Sequence, residues 1–231
     1  MPTAVITGAS AGLGLATAQL LTRLGWSLIA DGRRGDVLAA AASGLPGVTA
    51  LAGDVTDPGH RARLAAAAAA GGGRLDLLVN NASRLGPSPQ PALRSYPLDE
   101  IRRVYETNVF APLALIQLLA GPLTAAGGAI VNVSSDAACD AYPGWGGYGS
   151  AKAALDQLTA VLAAEIPALR CYAFDPGDMR TDLHQQAFPG EDISGRPGPE
   201  VAAAALLRLI TAKPPSGRYR TADLGTPAVT R

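Results

Sequence analysis

Cysteine and histidine are scarce in this chain of 231 residues, with two of each. Cys139 and Cys171 are too few for a disulfide framework, and His60 and His184 lack metal-ligand spacing, so a reducing cytoplasm is expected and no metal site. Charge is thin as well: 16% of the residues are charged, and nineteen basic residues balance nineteen acidic ones. Without a dense Lys/Arg run to track a phosphate backbone, nucleic acid is not an expected partner. The N-terminus runs directly into Thr3-Ala4-Val5-Ile6-Thr7, and no stretch of about 20 apolar residues follows, so neither export nor a membrane partner is expected. Internal repeats are absent. The Ala-rich tract Leu64 to Ala70 is the only low-complexity segment and reads as a helix stopped by Gly71-Gly72-Gly73.

Core material, by contrast, is plentiful. Hydrophobic residues make up 48% of the chain, which argues against long disorder and for one globular domain spanning 1–231. Short apolar runs predict strands at Thr3–Thr7, Ser27–Ala30, Val48–Leu51, Leu75–Val79, Ala129–Val133 and Arg170–Phe174. Helical segments are predicted at Leu13–Leu24, Asp36–Ser43, Pro58–Ala70, Leu98–Leu123, Tyr148–Glu165 and Pro199–Thr211, with Pro112 bending or dividing the fourth. Strands alternating with helices imply an α/β fold, a Rossmann-type doubly wound parallel sheet with helices on both faces, because parallel strands need long crossovers. Loops rich in Pro, Gly or Ser at 83–97, 136–147 and 178–199 follow strand ends. In an open parallel sheet the ligand lies beyond those carboxyl ends, so these loops would build a substrate pocket.

Two motifs carry chemistry. Gly8, Gly12 and Gly14, in Thr7-Gly8-Ala9-Ser10-Ala11-Gly12-Leu13-Gly14, fall between the first strand and the first helix. Glycines there permit a tight turn and let backbone N–H groups reach a pyrophosphate at a helix N-terminus, although such a trio also serves plain turns. Tyr148 and Lys152 stand one helical turn apart, thirteen residues beyond Ser135. An ammonium on the same helix face as a phenol favours the phenolate, whose ordinary pKa is about 10, and each unit lowered is worth roughly 1.4 kcal/mol. The same spacing also describes a solvated helix face.

Taken together, these residues resemble the short-chain dehydrogenase/reductase family from residue 3 to about residue 181. Thr7-Gly8-x-x-x-Gly12-x-Gly14 looks like its cofactor loop, with Ser10 and Leu13 among the contacts. Asn80-Asn81-Ala82 resembles the motif after its fourth strand, and Asn108, Ser135, Tyr148 and Lys152 its catalytic tetrad. The resemblance implies that Tyr148 exchanges a proton with the substrate oxygen, Ser135 rather than Ser134 holds that oxygen, Lys152 tunes the tyrosine and binds the nicotinamide ribose, and Asn108 holds a water. It further implies that Asp54 and Val55 contact the adenine, Asn80, Asn81 and Ala82 adjoin the ribose, and Pro176, Gly177 and Thr181 shelter the nicotinamide. Ser83 stands where the family has glycine. Asp57 is the better helix cap beside Asp54.

Cofactor choice turns on Asp31-Gly32-Arg33-Arg34 at the end of the second strand. Gly32 falls at the position of the acidic residue in NAD users and Arg33 where NADP-dependent relatives place arginine, so NADP(H) is favoured; NAD(H) stays possible because a one-residue shift would bring Asp31 to the ribose. The implied activity is hydride transfer between nicotinamide and a ketone or secondary alcohol. The alternatives are an NAD-dependent alcohol dehydrogenase and a cofactor-binding member with a regulatory or non-redox role. Tyr142, Trp145, Met179 and Phe188 fall in the pocket loops and suit an apolar wall, while Gly217-Arg218-Tyr219-Arg220 is the one weak candidate for a last strand. A homodimer or homotetramer built on the fourth and fifth helices is what the resemblance implies.

Overall fold

The computed structural model describes residues 1–70 and 73–225. Of the predicted glycine stop after Ala70, Gly71 and Gly72 lie outside the described residues. Seven parallel strands form one sheet in the order β3-β2-β1-β4-β5-β6-β7, and the order reverses between β1 and β4. The strands are β1 (Thr3–Ile6), β2 (Ser27–Gly32), β3 (Val48–Ala52), β4 (Leu77–Asn80), β5 (Ala129–Val133), β6 (Arg170–Asp175) and β7 (Gly217–Arg220). The doubly wound α/β fold is therefore as expected, including the short last strand. β2 runs two residues further than its apolar run suggests, because Asp31 and Gly32 continue the ladder opposite Leu51 and Ala52.

Strand alternation assigns each layer of the core. Ala4 and Ile6 of β1 pack on one face with Leu13, Ala18 and Leu21 of α1 (Gly12–Arg23). Leu206 and Leu209 of the later helix Pro199–Ala212 complete that layer. Val5 points the other way, toward Leu64 and Ala68 of the helix Pro58–Ala70 and Leu115, Ile116, Leu119 and Leu123 of the helix Ala111–Ala126. Residues i and i+2 share a sheet face, so a continuous apolar strand feeds both layers at once. The remaining helices, which complete α1 to α8 in chain order, are α2 (Gly35–Ala42), α4 (Leu98–Tyr105), α6 (Gly146–Glu165) and α7 (Asp182–Ala187), with α3, α5 and α8 those just described.

The predicted helix Leu98–Leu123 is divided, as its proline suggested, but by a π-turn over Glu106–Phe110 that joins α4 to α5. Pro112 lies in the first turn of α5, where its missing N–H costs least, and it has no proton to give the carbonyl of Asn108 four residues back. This continuous helical stretch, Leu98–Ala126, is by length and composition apolar enough to cross a bilayer. Leu115, Ile116, Leu119 and Leu123 of that stretch pack into the core against the sheet, while Leu98, Phe110 and Leu118 stay exposed.

Close approach between β5 and α6 sets the geometry of everything beyond the strands. After β5 the chain makes a short 3-10 turn over Asp136–Ala138, and α6 begins against it. A Cβ on Gly149 would stand 2.6 Å from the Ala137 carbonyl oxygen. Gly149→Ala is expected to push α6 from that turn and to destabilise the chain by about 1–3 kcal/mol, read as a lower urea midpoint at unchanged m-value. An unshifted midpoint would contradict the packing.

Candidate active site

The carboxyl ends of β1, β2, β4, β5 and β6 open into a cavity of about 710 Å³. Its lining brings together Gly8, Ser10, Gly12 and Leu13 with Arg33, Arg34, Asp54, Val55, Asn81 and Ala82 at one side, and Ser135, Tyr148, Lys152, Pro176, Gly177 and Thr181 at the other. Residues as far apart in sequence as Gly8 and Thr181 meet here because every parallel strand delivers its loop to the same edge.

The glycine loop is built by close approach. Gly8 and Gly12 have φ of +66° and +53°, which side-chain-bearing residues rarely adopt. A Cβ on Gly14, which does not itself line the cavity, would fall 2.6 Å from Asn81 Nδ2 and nearer still to the Gly8 carbonyl oxygen. Asn81 ties the loop to β4: its Nδ2 donates to the Thr7 carbonyl at 2.8 Å and the Gly8 carbonyl at 3.1 Å, while the N–H groups of Asn81 and Ala82 donate to Thr7 Oγ1. Asn80 does not adjoin the cavity. It is turned into the core, where it donates to Asn132 Oδ1 at 2.8 Å, because strand alternation points it to the α5–α6 side.

Asp31 is also buried. It is 1% exposed; Oδ1 lies 2.6 Å from His60 Nε2 and Oδ2 accepts from the Gly8 N–H at 3.4 Å. Arg63 Nη2 stands 3.0 Å from His60 Nδ1. A guanidinium only donates, so Nδ1 accepts and Nε2–H donates to Asp31. Burial raises the Asp31 carboxyl, against the lowering by His60. Asp31 lines the cavity with its carboxylate engaged by His60, and exposed Arg33, Arg34 and Asp54 stand at the same end. Asp54 Oδ1 accepts from Thr56 N–H and Oγ1, and Asp57 caps α3 through Gly59 and His60 N–H. Nothing in the sequence marks His60 as the partner of Asp31, since the two meet only when β2 and α3 pack.

At the other end, Tyr148 and Lys152 are buried on one face of α6. Lys152 Nζ donates to the Val133 carbonyl at 2.6 Å and lies 5.5 Å from the Tyr148 ring centroid. Desolvation pushes Lys152 down to about 8, and desolvation pushes Tyr148 up to about 12, partly offset by a hydrogen bond from Ser83. Burial, not the neighbouring ammonium, sets the direction of the phenol's shift. Both charged forms are excluded from water, and Lys152 spends its proton on a backbone carbonyl. Ser135 Oγ donates to Asp136 Oδ1 at 2.8 Å; Ser134 is buried.

Asn108 sits in the π-turn. Its side chain accepts from the Arg84 N–H at 2.8 Å and donates to the Arg84 carbonyl at 2.9 Å, with Ser83 Oγ 3.3 Å away. Its amide clamps the chain after Ala82, and Ser83, which donates to it, stands near enough to Tyr148 to oppose the rise of the phenol. Thr181 caps α7 and its methyl group would lie 3.3 Å from a Cβ on Gly12, so α7 stands over the glycine loop. An edge-on aromatic contact joins Tyr148 to Trp145 at 5.8 Å, and a tilted one joins Trp145 to Phe188 at 5.8 Å. Met179 lines the cavity, whereas Tyr142 is exposed and donates to Asp136 Oδ2.

A crossover sheet with a glycine loop at its switch point and a phenol, a lysine and a serine in the same cavity defines an oxidoreductase of the dinucleotide-binding type. The short chain dehydrogenase family matches residues 2–192. The chain is 34% identical to "Short chain dehydrogenase asqE" of Emericella nidulans, over 91% of this chain and 80% of that one. It is 35% identical to a serine 3-dehydrogenase of Agrobacterium fabrum, over 78% and 73%. A short chain dehydrogenase of Shigella flexneri solved with NADP superposes with a TM-score of 0.88 at 26% identity, covering 96% of this chain and 97% of that one. The chain belongs to the short-chain dehydrogenase/reductase family, enzymes that act on CH–OH and C=O groups with NAD(P).

The lysine has a thermodynamic signature. Its folded pKa, near 8, lies below the ordinary lysine value of 10.5, so below pH 8 it is charged in both states and its burial costs the fold about 3 kcal/mol. Between pH 8 and 10.5 the unfolded chain holds more protons, and the cost fades as pH rises. Lys152→Met is expected to raise the urea midpoint of the ligand-free chain at pH 7, with the gain shrinking toward pH 10; equal midpoints at pH 7 would contradict it. Tyr148 acts in the opposite sense, withdrawing stability from the wild type as pH climbs from 10 to about 12.

Proposed function

We propose that this enzyme is an NADP(H)-dependent carbonyl reductase, equally an alcohol dehydrogenase in reverse, acting on a ketone or secondary alcohol with Tyr148 as general acid/base. One observation carries the reading: a single cavity connects Arg33 and Arg34, beside an Asp31 whose carboxylate is engaged by His60, to Tyr148, Ser135 and Lys152. The glycine cradle fits a dinucleotide, because a side chain at Gly8 or Gly14 would collide with the Ala82 backbone, Asn81 or the loop itself. A guanidinium pair, with the neighbouring Asp31 carboxylate engaged by His60, favours a 2′-phosphate, and the Shigella flexneri relative was solved with NADP.

Bound nicotinamide supplies the hydride to the carbonyl carbon, or accepts it from the alcohol. In reduction the Tyr148 phenol, kept protonated by burial, donates its proton to the carbonyl oxygen while Ser135 turns from Asp136 to hydrogen-bond that oxygen. The resulting phenolate adds a second anion to the Asp156 carboxylate that already acts on buried Lys152, so charge separated at turnover stabilises both groups. The cavity wall of Trp145, Leu85, Leu183, Ala187 and Met179 suits a substrate with a ring or hydrocarbon body. Phe110, Leu118 and Val161 are exposed on the π-turn, α5 and α6, the surface on which a second copy would build a homodimer. The small thiol count and neutral charge fit a cytoplasmic enzyme.

Absorbance loss of NADPH and NADH over a panel of ketones tests the activity, and tight NADPH binding without any turnover would favour a non-redox role. Tyr148→Phe should lower turnover about 10²–10⁴-fold while leaving cofactor affinity intact; retained turnover would remove its assigned role. Arg33→Ala should weaken NADPH by roughly tenfold or more, the worth of a charge-assisted hydrogen bond, and spare NADH. Equal weakening of both cofactors would argue against phosphate recognition.

A further inference from the structure

Arg218 stands in β7, the last strand of the sheet, and does not line the cavity. Its guanidinium reaches across the carboxyl ends of two neighbouring strands. Nη2 donates to Asp175 Oδ2 at 2.8 Å and to the Ser135 carbonyl oxygen at 2.9 Å, and Nε donates to Asp156 Oδ2 at 3.1 Å. Each acceptor belongs to a segment that delivers a working group. Ser135 follows β5. Asp175 ends β6, and its Oδ1 accepts from the Gly177 N–H at 3.0 Å, setting the turn through Pro176. Asp156 lies one helical turn beyond Lys152 on α6.

Electrostatics demands such a bridge. Side chains of Asp175 and Asp156 are 5% and 17% exposed, and two poorly solvated carboxylates aimed at one point repel unless a cation with directed donors lies between them. A planar fork meets three acceptors in fixed directions; an ammonium offers a point charge. Burial raises the Asp156 carboxyl, and Arg218 and Lys152 oppose that rise.

We propose that Arg218 is the positioning residue of the nicotinamide half of the site: through Asp175 it fixes the Pro176–Gly177 turn, and through the Ser135 carbonyl it fixes that turn against the serine and α6. It touches neither substrate nor cofactor. The inference rests on the NADP(H) reading above. It separates the two halves of the cavity, because the adenosine end is held by β1, β2 and the segment after β3, none of which Arg218 contacts.

Calorimetric titration of the full chain with NADP⁺ and with 2′,5′-ADP, which carries only the adenosine half, tests it without any turnover. Arg218→Ala is expected to weaken NADP⁺ about fivefold or more and to leave 2′,5′-ADP within twofold of wild type, with Arg218→Lys falling between. Parallel loss of both ligands, or unchanged NADP⁺ affinity, overturns it. If the alanine variant does not fold, the lysine variant carries the same comparison. A wild-type chain that binds NAD⁺ and 5′-AMP in preference sinks the phosphate reading alone, and the half-site comparison is then made with that pair.

Discussion

The hydrogen bond from Lys152 to the Val133 carbonyl holds α6 onto the end of β5, and the chemistry of the cavity depends on that attachment. It fixes the lysine, and through the helix the tyrosine four residues earlier, against the strand from which Ser135 emerges. Gly149 allows the approach. A backbone carbonyl is a poor substitute for an anion, so the cation is held at a cost, and its pKa falls to about 8. The fold tolerates this because stable apolar layers lie on both sides of the sheet.

Two polar constructions do comparable work elsewhere. The Arg63–His60–Asp31 chain holds the carboxylate at the Gly8 N–H. Arg218 gathers Asp156, Asp175 and the Ser135 carbonyl at the opposite flank. Both connect side chains from different elements under the rim of the cavity, so the lining residues above them are held by groups that themselves do not react.

Much of the fold was legible because its signals are local. Apolar runs at six strand positions and helical segments between them require a parallel doubly wound sheet, and the short seventh strand was visible as Gly217–Arg220. The division of the fourth helix was announced by Pro112. Its form, a π-turn that aims Asn108 at the Arg84 backbone, was not, because it is set by packing against a loop twenty-four residues away. Boundaries shifted where ladder hydrogen bonds ran past the apolar pattern, as in β2.

For the site, the sequence by itself determined which groups are present and in what order: the glycines, Arg33 and Arg34, Ser135, Tyr148 and Lys152. Spacing along one helix was enough to put phenol and ammonium on the same side. Tertiary structure alone decided their protonation tendencies and their partners. The phenol rises and the ammonium falls because both are desolvated. Asn80 faces inward while Asn81 and Arg33 face the cavity, Asp31 borders it with its carboxylate engaged by His60, and His60 and Arg218 become supports only where distant elements meet. Solvation and long-range contact are properties of the packed chain, and no residue carries them in its own side chain.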